Sequence, residues 1–281
     1  MPTARANIWA NAASPCRGFE MSVAKFPFWR VVPGDRTGTY ILPVMPPATV
    51  GPEGAPHVMG GVALAAAIDA LELESGLPVL WANIQFLSPT QHAEELTITC
   101  EQCGGGQSVG QWKADIHVNS RPTHRISAAL GAREPSKRKT FSVMPDVPAP
   151  SECGPKPLQR TGAVGSLYDQ VETRIARSDP DAGVEAMWSR NASGFANDAG
   201  WLALVSDFFL GSHPNTWGGS SLDATFRFVQ PSEPGWILSV TEFAAFERGV
   251  AHGSARHFGE DGTLLAISSQ TGVLPRTPMA E

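Results

Sequence analysis

Apolar and polar residues alternate most regularly in two blocks of the chain, separated by a long stretch in which no period is sustained. In the first block, Gly38 to Val44 (GTYILPV) predicts a strand. Pro46-Pro47 through Gly51-Pro52-Glu53-Gly54 predicts a loop by its turn residues. After His57-Val58-Met59-Gly60-Gly61, the run VALAAAIDALELE is Ala-rich and free of Gly and Pro, and it ends at Gly76 and Pro78, which predicts a helix. Strands follow in close succession: LWANIQFLSP, ELTITCEQC, SVGQWKADIHV and HRISAALGAR, each bounded by Gly, Pro, Asn or Ser. Short connections imply antiparallel pairing. One long helix followed by a meander that must cover it implies a helix wrapped by a curved sheet.

From Val184 the pattern begins again: a strand (VEAMWSRN), a helix (GWLALVSDFFLGS), then strands in LDATFRFVQP, WILSVTEFAAF, GVAHGSARHF and LLAISSQTGV. A constant offset of 142 residues pairs Ala82 with Ala224, Phe86 with Phe228, Pro89 with Pro231, Leu96 with Leu238, Thr99 with Thr241 and Ser127 with Ser269, without a gap. The same offset lays Asn119-Ser120 on Asp261-Gly262, turn on turn. Shared alternation alone is common between β-rich segments; shared turns, proline and register over this length indicate a tandem duplication. The expected organisation is a poorly ordered extension over 1–30, with Met21 as a candidate start or first structured residue. A first unit spans 31–135, a Pro-, Ser-, Lys- and Gly-rich linker 136–180 with helical turns near Leu167 to Ile175, and a second unit 181–281.

With 281 residues, 42% of them hydrophobic, the chain can bury one large or two ordinary cores, and its formal net charge of −6 offers no basic field for nucleic acid. There is no apolar run of the length a membrane span needs and no signal-peptide core, so the expected localisation is cytoplasmic, with no membrane partner. Cysteines stand at 16, 100, 103 and 153. The Cys100–Cys103 pair lacks a second pair of ligands and reads as reduced, while His252 and His257, five apart on one strand, point to opposite faces, so no metal is expected.

In a duplicated fold, polar residues present in only one copy mark specialisation. The offset sets Asp207 against Ala65, Ser221 against Val79 and Gln270 against Ala128, and in the other direction sets Gly60-Gly61 against Leu202 and Ala203. Asp207 could lie on a solvated helix stripe, yet Leu204, Val205, Phe208 and Phe209 around it make full exposure difficult, and a half-buried carboxylate needs a partner or a task. Ser221 could cap a turn and Gln270 could be an outward strand residue. The glycines suit a tight start to a buried helix as well as they suit backbone N–H groups approached by a ligand carbonyl.

These segments resemble the type II acyl-CoA thioesterases, the TesB-like double-hotdog family, over most of the chain from Gly38 to Leu274. HVMGGVALAAAIDAL is similar to that family's Gly-Gly helix start and IQFLSP to its Phe-Leu-Arg-Pro strand end. LVSDFFL, SSLDATFRFVQP and LAISSQTGV are similar to the segments that carry its catalytic Asp, Thr and Gln. The resemblance implies an α+β tandem double hotdog with one site per chain. Its catalytic residues would be Asp207, Ser221 and Gln270, and its substrate-binding residues Gly60 and Gly61. Such an enzyme would use no cofactor and would hydrolyse an acyl-CoA or acyl-carrier thioester with a water held by the acid, amide and hydroxyl. His57, beside the glycines, is a further substrate-binding candidate at the site mouth, and two sheets with exposed edges imply a homo-oligomer. Ser221 departs from the family's Thr, and Val62 from the Gln that often follows the glycines. A dehydratase or enoyl-CoA hydratase using Asp207 with His213 and a non-catalytic acyl-binding hotdog are the alternative readings.

Overall fold

The computed structural model describes residues 27–106, 108–133, 137–156 and 164–276. The first half contains strands β1 (Val32–Pro33), β2 (Thr39–Pro43), β3 (Thr49–Val50) and β4 (His57–Val58), helix α1 (Gly60–Ser75), and strands β5 (Val79–Phe86), β6 (Glu95–Gly105), β7 (Val109–Val118) and β8 (Arg121–Gly131). The second contains β9 (Val171–Asp179), β10 (Val184–Asn191), helix α2 (Ala199–Ser206), and β11 (Ser220–Phe228), β12 (Ile237–Glu247), β13 (Val250–Gly259) and β14 (Leu264–Val273). β3 and β4 form a small ribbon, and the remaining strands form one 12-stranded antiparallel sheet in the order β1-β2-β6-β7-β8-β5-β11-β14-β13-β12-β10-β9.

That order reads alike from both ends, as a tandem double hotdog should. β12 starts and ends 142 residues after β6. At the seam β5 pairs with β11, and Asn83 lies opposite Thr225, its own counterpart in the repeat. The pseudo-two-fold axis passes through this pair, where the Asn83 amide donates to the Thr225 hydroxyl at 3.0 Å and to the Ala224 carbonyl at 3.1 Å. The helices do not keep this register: α2 starts 139 residues after α1, so Gly61 has a counterpart in Gly200, and the glycine at the helix start is not confined to the first half.

α1 is apolar around its whole circumference, with every residue from Gly61 to Leu71 buried. The concave face of the first sheet meets it with Ala82, Ile84, Leu96, Ile98, Ala114, Ile116, Ile126 and Ala128, the alternate residues of four strands. One acid interrupts that buried stretch, Asp69, which accepts the Val31 N–H at 2.9 Å and pairs with Arg30. Next to that pair Trp29 stacks on Trp201 with centroids 5.8 Å apart and is shut between the halves. Within the expected extension Trp29 is thus built into the core; residues 1–26 of that extension lie outside the described residues.

The expected linker contains more structure than its composition suggests. A single 3₁₀ turn at Leu167–Asp169 replaces the expected helical turns, and Val171–Asp179 is an edge strand. Residues near 144–153 lie over the convex face of the second sheet, where Trp188, Trp236, Leu238, Val240, Phe258 and Cys153 form a second core. The Trp188 indole N–H donates to the Pro148 carbonyl at 2.9 Å and fixes this strap. No helix among the described residues is long and apolar enough to cross a membrane.

Candidate active site

Asp207 ends α2. The sequence pattern predicts one helix to Ser212, but the α-helix stops at Ser206, Asp207 takes φ −85° and ψ 5°, and the apolar run continues as a 3₁₀ turn, Phe209–Ser212. The start of α2 is capped by its own Asp198, whose carboxylate accepts the Trp201 N–H at 2.9 Å, whereas α1 has no side-chain cap of its own. Its cap comes from the other half: Asp207 Oδ2 accepts the Gly61 N–H at 2.7 Å across 146 residues.

This contact requires the helices to approach closely, which explains the glycines. A Cβ on Gly61 would lie 2.5 Å from the Leu204 carbonyl oxygen and 2.8 Å from Asp207 Cβ, and one on Gly60 would lie 2.4 Å from the Phe86 ring. The Gly61 N–H is therefore already bonded to the carboxylate and is not free for a substrate oxygen, which corrects the expectation that both glycines serve as donors. Gly60 N–H has no hydrogen-bond partner among the described residues, and Gly60 lines the cavity described below.

The other two predicted residues converge on the same carboxylate. Gln270 lies on β14, opposite Ala224 of β11 and on the same face, and is buried. Its Nε2 donates to Asp207 Oδ1 at 2.9 Å and to Ser221 Oγ at 2.7 Å, while its Oε1 is buried without a partner among the described residues. Ser221 is brought in at the start of β11, where the ladder shifts register between Ser221 and Asp223. Burial raises the Asp207 pKa to about 6, against the opposing pull of the Gly61 N–H, the Gln270 amide and the Ser221 hydroxyl. A carboxylate at that value is ionised at neutral pH yet basic enough to take a proton.

Asp207 and Ser221 line a cavity of about 670 Å³, together with Gly60, Phe86, His57 and Tyr168. His57 sits on β4 at the cavity wall with Nδ1 3.5 Å from the Ala55 carbonyl oxygen. His213 is elsewhere: its Nε2 meets the Pro180 carbonyl at 3.0 Å, its Nδ1 accepts the Asn215 N–H at 3.1 Å, and Phe243 and Phe246 pack on the ring. With both nitrogens engaged it cannot serve as Asp207's partner. Cys100 is buried and Cys103 exposed, and both are free thiols. Histidine 124 and Thr90, which also line the cavity, had no role in the sequence reading. The signal was present for His124, which shares the inward parity of Ile126 and Ala128 on β8.

A carboxylate, an amide and a hydroxyl thus meet across the helix ends of a double hotdog. Residues 145–274 match the acyl-CoA thioesterase C-terminal domain. A proposed thioesterase from Novosphingobium aromaticivorans is similar in structure, with 28% identity, a TM-score of 0.82, and coverage of 89% of this chain and 99% of the other. A hotdog-fold protein from Alicyclobacillus acidocaldarius shares the fold at 17% identity and TM-score 0.76, covering 89% and 97%. So does acyl-CoA thioesterase II TesB2 of Mycobacterium marinum, at 17% and 0.72, covering 90% and 98%. No curated protein matches the sequence. The likenesses support a thioester hydrolase on a double-hotdog fold, with the family match confined to residues 145–274.

Proposed function

We propose that the chain hydrolyses an acyl-CoA to the free acid and CoA by direct attack of a water held among Asp207, Gln270 and Ser221. The observation that carries this reading is the single cluster at the cavity's end. One carboxylate there accepts from Gly61 and Gln270, and Gln270 also binds Ser221, with all three bonds between 2.7 and 2.9 Å. Each carboxylate oxygen keeps a lone pair, Ser221 Oγ keeps its O–H, and Gln270 Oε1 is an unpaired acceptor, so a water has both its protons and a lone pair provided for.

Asp207 takes one proton as the water oxygen bonds to the thioester carbon. The developing oxyanion is met by the Gly60 N–H at the positive end of α1. Collapse of the tetrahedral adduct breaks the C–S bond, and the proton held by Asp207 goes to the departing thiolate. A covalent acyl-enzyme has no place in this sequence, in which Asp207 acts as a base and Ser221 as a hydrogen-bonding group. His57 holds the substrate at the cavity mouth. An acyl-carrier thioester offers the same arm and the same bond, and the assay includes it.

The test is a thiol-release assay over short, medium, long and aromatic acyl-CoAs, repeated in ¹⁸O-water. The reading expects free CoA, one ¹⁸O in the acid and no trapped acyl-enzyme. Tight acyl-CoA binding without thiol release would instead identify a non-catalytic acyl-binding protein. Hydration of an enoyl-CoA without CoA release would identify a hydratase.

A further inference from the structure

We infer that His124 and Thr90 form a polar subsite in the cavity wall that accepts a hydrogen-bond donor carried by the thioester, either a hydroxyl on the acyl chain or an amide N–H of the carrier arm. The inference rests on the thioesterase reading above and adds to it a selectivity.

His124 lies opposite Phe86 in the β5–β8 ladder, and its ring stands edge-on to that of Phe86, with centroids 5.7 Å apart at 82°. Phe86 in turn abuts Gly60, so one aromatic ring separates His124 from the Asp207 cluster. Both residues line the cavity, and both are buried.

The hydrogen bonds assign the tautomer. Thr123 Oγ1 lies 3.1 Å from the Ile116 carbonyl oxygen, which can only accept, so the threonine proton is committed there. His124 Nδ1 lies 3.0 Å from the same Oγ1 and must therefore be the donor to it. A neutral ring protonated at Nδ1 carries a bare lone pair at Nε2, and Nε2 has no protein partner among the described residues. Burial first, and the Arg121 charge second, lower the His124 pKa to about 4, so the ring is uncharged at neutral pH.

Thr90 supplies the second group. It is 1% exposed, and its Oγ1 is buried without a partner. The His124 acceptor, in a wall that Val58, Met59, Leu87 and Pro89 share with His57 and Ser88, disfavours a purely hydrocarbon occupant, because that occupant would seal it off from water, and the Thr90 hydroxyl, already shut off without a partner, gains one only from a polar group that reaches it. A ligand group that donates to Nε2 and bonds the Thr90 hydroxyl removes that penalty. The preference comes from an interaction the wrong ligand cannot make.

The experiment compares wild type, His124→Phe and Thr90→Val on two substrate pairs: an acyl-CoA and its hydroxylated counterpart, and an acyl thioester of N-acetylcysteamine against that of a simple alkanethiol without an amide. Wild type is expected to favour the donor-bearing member of one pair by about tenfold in kcat/KM, and each variant to lose most of that preference, with the donor-free member gaining relative to the donor-bearing one. The pair that responds identifies the source of the donor. Equal discrimination in wild type and both variants overturns the inference. So does an ¹⁵N spectrum of histidine-labelled protein showing His124 protonated at Nε2, a readout that needs no turnover. If wild type releases no thiol from any thioester, the thioesterase reading fails on its own. Calorimetric binding of the same pairs then still decides the subsite: equal Kd within both pairs overturns it.

Discussion

In the first half of the molecule the concave face of the sheet is apolar apart from His124 at the cavity, and the convex face polar, as expected of a sheet wrapped on a buried helix. Ile84, Ile98 and Ile126 look inward while Gln85, Thr99 and Arg125 look out. The second half partly reverses this. Its convex face holds Trp188, Leu238 and Phe258 under the strap, and its concave face carries Gln270 and the buried chain Ser239–His257–Ser268, with bonds of 2.9 and 3.0 Å. The length of the helix accounts for the difference. α1 has 16 residues and needs an apolar bed along its full length, whereas α2 has 8 and leaves inward strand positions open to polar side chains. A duplicated fold has thus kept one copy as a scaffold and shortened the helix of the other to make room for chemistry.

Several substitutions would break or sharpen that contrast. The largest effect is expected for Asp207→Asn, which keeps the shape of the site but removes the proton acceptor. kcat in the thiol-release assay should fall by about 10³-fold, and near-normal turnover would remove the second half's claim to the acid. Exchanging the repeat partners Gln270 and Ala128 tests the asymmetry directly. Gln270→Ala should lower kcat by about 10²-fold with the fold retained. Ala128→Gln would bury an unpaired amide beneath α1 and should lower stability by roughly 2–3 kcal/mol in urea unfolding. Gly61→Ala forces apart helices in contact and should cost about 2 kcal/mol with a parallel loss of rate.

The pH profile gives a smaller, graded effect. The carboxylate is the working form, so kcat/KM should be level above pH 7 and fall through a midpoint near 6 as Asp207 takes up its proton, tending to about tenfold per unit below. A midpoint near 4 would mean that burial does not set this group. The smallest effect is expected for His57→Ala at the cavity mouth, a rise in KM of about threefold with little change in kcat.

Much of this was legible in the sequence because strands, turns and register repeat at a fixed spacing, and β6 and β12 coincide at both ends under it. Asp207, Ser221 and Gln270 stood out as polar residues without a polar counterpart. Three features were not legible. The stop of α2 at Ser206 is invisible in Leu202–Leu210, where no Gly or Pro marks an end, because the partner that Asp207 meets there is Gly61, far away in sequence. The edge strand Val171–Asp179 reads as linker because Glu172, Arg174 and Arg177 interrupt its apolar period, as charges on an edge strand should. The roles of Trp29 and of His124 exist only once both partners are assembled, as the Trp29–Trp201 stack shows.

The bond from Gly61 to Asp207 has a consequence in time as well as in space. A ribosome adding on the order of 5–20 residues each second completes the first half many seconds before Gln270 emerges. The α1 end that will meet the acid must wait through that interval without its cap. Catalytic activity therefore reports the last event of assembly, and in gentle denaturation it should be the first property lost, before most of the sheet has let go.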